Sequence, residues 1–248
     1  MLVSDLAETL AKIPHLQIGQ ISNDSLRLIL EEVDREVDGY SNVELNSQMA
    51  GQYVGEFQDA WSARGIVDYD PDSKRILTYQ RSMQIRAEQG KQLKHFRTDL
   101  YERLIEIRKL IETITQNPKT TRIFKLKAET QLPWHSHLQS VAKEKDYQRI
   151  VVQIPLINSE ACIYQVRQRE IDQIIEQIYS PGEIWIFNSF HQHRVINRSQ
   201  YDRLSLFIET DLQDFCLFEN LSLLCQKYLK SGGVYFREEP SSGHELFR

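Results

Sequence analysis

The chain has 248 residues, 41% of them hydrophobic and 26% charged, which is ordinary for a globular protein with one sizeable core. A net charge of −5 argues against general nucleic-acid binding, which needs a basic face to meet phosphate. No run of about 18 apolar residues is present, and MLVSDLAETLAKIPHL has early acidic residues but no basic n-region, so neither a membrane-spanning helix nor a signal peptide is expected. The thiols Cys162, Cys216 and Cys225 lack CxxC spacing and are an odd set, which fits reduced cysteines in a cytoplasmic protein.

In chain order, Ser25 to Val37 carries Leu26, Ile29, Leu30 and Val33 at helical spacing, with Asn23 or Asp24 as the expected N-cap. Lys94 to Gln116 predicts a longer helix whose apolar face is Leu100, Leu104, Ile107, Leu110, Ile111 and Ile114. Asn117-Pro118 ends it. From about Thr121 the texture changes to short strands: Arg122 to Leu126, Gln148 to Ile157, Ala161 to Arg167, Glu183 to Phe187 after the turn Ser180-Pro181-Gly182, and Arg203 to Thr210. They lie too close together for a helix between every pair, which disfavours a parallel α/β sheet and favours a sandwich or barrel. A last helix is expected from about Asp214 to Leu229, ended by Ser231-Gly232-Gly233.

Four of the seven histidines fall in two tight pairs, His135-Ser136-His137 and His191-Gln192-His193. On a strand, residues two apart point the same way, so such a pair can reach one metal ion, and neutral imidazole is a common ligand for iron, zinc and copper. A lone pair of this kind is more often structural, but two in one β-rich region strengthen the metal reading. Arg203 and Ser205 share a strand face, where a guanidinium fork and a hydroxyl suit a carboxylate. Leu204, Leu206 and Ile208 are then expected to pack on the opposite face.

The runs LPWHSH, RIVVQIPL, PGEIWIFNSFHQHRVIN and DRLSLFIETD, in this order, resemble the aspartyl/asparaginyl β-hydroxylase-type branch of the 2-oxoglutarate oxygenases. The resemblance covers about Arg122 to Asp211 and implies a jelly-roll-like, cupin-like double-stranded β-helix over residues 121–212. With the helical patterns read above, the chain is expected to be α+β, with a mainly helical extension over 1–120 and a C-terminal helix and tail over 213–248. It implies Fe(II) and 2-oxoglutarate as cofactors, O2 as co-substrate, and an amino acid or a residue of a peptide as the group hydroxylated.

Carried over one residue at a time, His135 matches the first metal histidine and His193 the second. Arg203 matches the arginine that holds the far carboxylate of 2-oxoglutarate, with Ser205 assisting. Arg149 opens the strand that leads to the cofactor, and Gln153 holds a position at which some members contact it. Trp134 and His191 become candidates for the substrate pocket. Position 137 departs from the pattern, because the usual facial triad is two histidines and a carboxylate, and His137 stands where Asp or Glu belongs. His137 is therefore the candidate third ligand, with water as the other occupant of that position. Two other readings remain open: a three-histidine metal enzyme on the same barrel that does not use 2-oxoglutarate, and a catalytically inactive barrel used as a binding module.

Overall fold

The structure, a computed structural model, describes residues 6, 9–10, 12–42, 60–77, 79–90, 94–136, 149–168, 173–189 and 191–230. Its elements are β1 (His15–Gln20), α1 (Asn23–Glu36), β2 (Ser41–Asn42), β3 (Trp61–Asp68), α2 (Tyr79–Glu88), β4 (Phe96–Arg97), α3 (Asp99–Arg103), α4 (Ile105–Ile114), β5 (Thr121–Leu126) and β6 (Thr130–Gln131). They continue as β7 (Arg149–Ile157), β8 (Cys162–Gln168), β9 (Gln173–Gln177), β10 (Glu183–Phe187), β11 (Gln192–Asn197), β12 (Arg203–Asp211) and α5 (Phe218–Lys230).

The strands form two antiparallel sheets. The larger runs β1-β10-β7-β12-β5-β3-β2 with β4 added on β3, and the smaller runs β6-β11-β8-β9. Period-two alternation gives the larger sheet two chemically different faces. Ile150, Val152, Ile154, Leu156, Ile184, Ile186, Leu206 and Ile208 form one aliphatic layer with Ile29 and Val33 of α1, with Ile107, Leu110 and Ile111 of α4, and with Leu221 of α5. The alternate residues Phe124, Val151, Trp185, Phe187 and Phe207 join Cys162, Tyr164, Val166 and Val195 of the smaller sheet in a second buried layer. A buried Ile or Leu contributes about 1.5–3 kcal/mol. Slipping β7 or β12 by one residue would exchange the two layers, so the aliphatic face holds the register.

Residues 1–120 do carry helices, but the topology corrects their expected place as an extension apart from the sheet. β1 flanks β10 and β3 flanks β5, so the early chain supplies strands at both sides of the same sheet. The buried part of β3, SARGIVD, alternates weakly because nearly every residue in it is covered, and two-sided burial erases the period-two signal.

The first helix is capped one residue earlier than expected, by Ser22, whose side chain accepts from the Ser25 N–H. The expected helix over 94–116 is divided. β4 occupies its start, Thr98 caps α3, and Leu104 breaks the path before α4. The predicted apolar face is nevertheless fully buried. At the break, Leu104 brings no capping side chain. Glu32 of α1 supplies one from outside, its buried carboxylate accepting from the Glu106 N–H at 3.0 Å and the Ile107 N–H at 3.1 Å. That satisfies orphan donors at the positive end of α4.

Two further contacts set the frame of the site. Arg122 of β5 donates from Nε and a terminal nitrogen to the two oxygens of Asp68 on β3, at 2.5 and 2.6 Å, and to the Leu77 carbonyl at 2.6 Å, so a buried fork ties β3 to β5. At the Pro181-Gly182 turn, Gly182 holds φ +82°, a left-handed value that favours glycine. The Glu183 carboxylate that follows accepts from the Ser180 N–H at 2.7 Å and from the Trp185 indole at 3.0 Å, which aims β10 into the barrel.

Glu32→Ala leaves two helix N–H groups unpaired, and the expected loss is about 2 kcal/mol of unfolding free energy, read as a lower urea midpoint at unchanged slope.

Candidate active site

His135 and His193 form an isolated antiparallel bridge. The His135 N–H donates to the His193 carbonyl at 3.0 Å and the His193 N–H donates to the His135 carbonyl at 2.8 Å. Residues so paired present their side chains on one face, and the ring centroids lie 4.2 Å apart. Each ring is oriented by the carbonyl two residues before it: His135 Nδ1 lies 2.8 Å from the Pro133 oxygen, and His193 Nδ1 lies 2.9 Å from the His191 oxygen. An Nδ1–H bonded to a carbonyl leaves Nε2 as the basic nitrogen, the tautomer and second contact typical of metal-bound histidine. Burial lowers the His135 pKa from its ordinary value against the opposing Pro133 carbonyl, which favours the neutral form that a metal requires.

The second half of the site is a buried cation. Arg203, Ser205 and Phe207 of β12 alternate with Leu204, Leu206 and Ile208, as expected, and face the smaller sheet. The Arg203 guanidinium lies 4.6 Å from the centre of the Tyr164 ring, and one terminal nitrogen is 3.5 Å from Gln153 Oε1. Gln153 Oε1 also accepts from the Tyr164 hydroxyl at 3.1 Å. Among the described residues no carboxylate pairs with Arg203, and neither its Nε nor the Ser205 hydroxyl has a partner. Burial accordingly depresses the Arg203 pKa, with only Cys162 acting against it. An uncompensated buried guanidinium is costly, and a bound anion removes the cost. The donor set, a guanidinium edge with an adjacent hydroxyl, fits a carboxylate. Ring contacts connect the two halves: His193 to Phe187 at 4.6 Å, Phe187 to Tyr164 at 6.0 Å, and Tyr164 to Arg203.

The structure thus brings together His135, His193, Gln153, Arg203 and Ser205. It does not bring Arg149 to the carboxylate site. Arg149 pairs in register with Asp211, eight residues from Arg203 on β12, or about 26 Å along an extended strand. Its side chain is held there by Glu209 at 3.1 Å and Asp211 at 3.8 Å.

Nor does Trp134 face the pocket. Because His135 points inward, Trp134 points outward, and its ring lies 5.2 Å from the Arg167 guanidinium carbon and 4.8 Å from that of Arg194. Both arginines alternate with the inward residues Val166 and His193. His191 is buried and orients His193 through its carbonyl. His137 lies outside the described residues.

Two contributors were not anticipated. Tyr164 was legible, since it alternates inward with Cys162 and Val166 in ACIYQVR. His15 was not, because β1 is short and carries a bulge between Gln17 and Gly19. Its pairing with Phe187 turns it into the barrel.

No curated protein matches the chain. Solved structures similar to it include a 2OG-Fe(II) oxygenase family oxidoreductase from Burkholderia pseudomallei, 13% identical over 88% of this chain and 94% of that one, with a TM-score of 0.46. A prolyl-4-hydroxylase from Pseudomonas putida is 12% identical over 85% and 98%, with a TM-score of 0.43. The non-heme α-ketoglutarate-dependent epimerase SnoN of nogalamycin biosynthesis is 13% identical over 84% and 82%, with a TM-score of 0.48. The family model for aspartyl/asparaginyl β-hydroxylase matches residues 24–211, which include both histidines of the bridge and the Arg203 strand. The chain therefore belongs to the aspartyl/asparaginyl β-hydroxylase family, whose members are Fe(II)- and 2-oxoglutarate-dependent hydroxylases.

Proposed function

We propose that this hydroxylase works from a double-stranded β-helix core, holding Fe(II) with His135 and His193 and 2-oxoglutarate with Arg203 and Ser205, and that it hydroxylates an amino acid or a residue within a peptide. The observation that carries the residue assignment is the buried Arg203, whose Nε is unpaired beside the unpaired Ser205 hydroxyl on the face that also receives the histidine pair. A metal-only three-histidine barrel has no use for such a cation.

Iron and 2-oxoglutarate supply oxygen activation and C–H hydroxylation, with succinate and carbon dioxide released. The chain supplies the rest. Pro133 and His191 carbonyls fix the imidazole tautomers. Arg203 neutralises the far carboxylate, and Gln153, bonded by Tyr164, steadies the guanidinium. The aromatic walls Tyr164, Trp185 and Phe187 keep water from the reacting bond.

The remaining ligand position falls to His137 or to water. With neutral ligands only, the centre is one charge more positive than in a triad with a carboxylate, which strengthens its hold on anionic 2-oxoglutarate. His137→Ala separates the two occupants. Fe(II) affinity falls about tenfold or more if imidazole is the ligand and is unchanged if water is.

The deciding experiment is anaerobic Fe(II) titration followed by succinate detection after 2-oxoglutarate and air are added. The wild type is expected to take up one equivalent of iron and form succinate, and His135→Ala and His193→Ala are expected to lose both. A wild type that neither binds iron nor forms succinate, with variants of unchanged metal content, sinks the proposal. Arg203→Met is expected to keep iron but weaken 2-oxoglutarate binding by about 3 kcal/mol, on the order of 100-fold in a calorimetric titration. Without ligand, the same variant should be no less stable than wild type in urea, because it removes an uncompensated buried charge.

A further inference from the structure

His15 lies before the span that the family model matches. Its strand adds to the edge of β10, where His15 pairs with Phe187 and Gln17 with Trp185, so both β1 side chains share the inner face of the sheet. The His15 ring is 1% exposed. Its Nδ1 is 2.5 Å from the Tyr179 hydroxyl, and its ring meets Tyr179 edge-on at 5.6 Å and Phe187 at 5.7 Å. Its Nε2 is buried without a partner among the described residues. A buried ring nitrogen left unmade costs stability, and a protein retains such a cost where a ligand completes the bond.

Position along the sheet says which ligand. Inward residues fall in successive rows across the strands: Arg203 opposite Leu126, then Ser205 opposite Phe124, then Gln153 between Trp185 and Phe207, then Val151 opposite Phe187, which is itself opposite His15. Arg203 marks the cofactor end. His15 stands three rows from it, level with Val151 and Glu209 and next to the Phe187 ring that touches His193. The N-terminal segment also holds the connection leading to His193: Asn188 donates from its backbone to the Pro14 carbonyl and from its side chain to the Leu10 carbonyl. Among the described residues, His15 meets Tyr179 and Phe187 and feels the nearby His191, and none of the three brings a fixed charge.

Resting on the function proposed above, we infer that His15 is a substrate-contacting, specificity-determining residue of the hydroxylase. Its Nε2 hydrogen-bonds an uncharged polar group of the substrate on the side of the metal away from Arg203. A site built around one buried hydrogen bond discriminates strongly against a ligand that cannot make it, and an aromatic wall that holds no cation among the described residues disfavours a carboxylate there.

The test uses the full chain loaded with Zn(II) and 2-oxoglutarate, which form the complex without turnover. N-acetyl-asparagine amide and N-acetyl-aspartic acid amide serve as the uncharged and charged probes, titrated calorimetrically, with nitrogen-15 histidine resonances followed in parallel. The uncharged probe should bind more tightly and shift the His15 Nε2 resonance. His15→Phe should weaken it about tenfold or more, and His15→Gln, which keeps a hydrogen-bonding nitrogen, should recover part of the loss. Zn(II) and 2-oxoglutarate affinities should be the same in all three proteins, which shows that the variants fold. Equal probe binding in wild type and His15→Phe, tighter binding of the charged probe, or no binding of either to the loaded wild type overturns the inference while leaving the cofactor site intact. Failure of the wild type to bind Zn(II) and 2-oxoglutarate overturns the function on which it rests.

Discussion

Along β12 each side chain goes to the face opposite its neighbour's, and this alternation separates two jobs that would otherwise interfere. Leu204, Leu206 and Ile208 lie on the side covered by α1, α4 and α5, while Arg203, Ser205 and Phe207 look into the barrel. The same division runs through β7 and β10. The aliphatic side gains several kcal/mol from each strand and tolerates no slip in register. That surplus allows the other side to keep a buried guanidinium with no carboxylate beside it and, among the described residues, an Nε and a Ser205 hydroxyl without partners, groups that cost stability.

The histidine pair proposed to hold iron depends on a second backbone constraint. Two histidines from segments far apart in sequence are aligned by a single antiparallel bridge, and their rings are then turned by the carbonyls of Pro133 and His191. Hydrogen bonds of the main chain, rather than long side-chain networks, set this geometry, so the two rings already stand as the proposed metal site requires. The buried guanidinium and the histidine pair are joined by the Phe187–Tyr164–Arg203 contacts, an apolar wall with one amide, Gln153, set into it.

Much of this was legible in the sequence. Five of the eight described strands from β5 to β12 were marked by β-rich or alternating runs, while β6, β9 and β11 were not. The register of Arg203 and Ser205 followed from alternation, and the spacing of His193 to Arg203 within PGEIWIFNSFHQHRVIN and DRLSLFIETD carried the family resemblance. Arg149 and Trp134 were misplaced for one physical reason. Motif order says which strand or loop carries a residue, but a strand is long compared with a site and a neighbour of a ligand points the other way. Arg149 sits at the wrong end of its strand, and Trp134 on the wrong side of its bridge.

Local pattern therefore determined the strands, the two faces of β12 and the kinds of side chain available for iron and for a carboxylate, because each is written in residues close together in the chain. Tertiary structure alone decided that the early chain joins the sheet through β1 and β3, that Glu32 caps a helix more than seventy positions away, and that His15 stands inside the barrel against Tyr179 and Phe187. Those contacts link residues far apart in sequence; β3 also loses its period-two signal to burial on both sides, and β1 is too short and bulged to carry one.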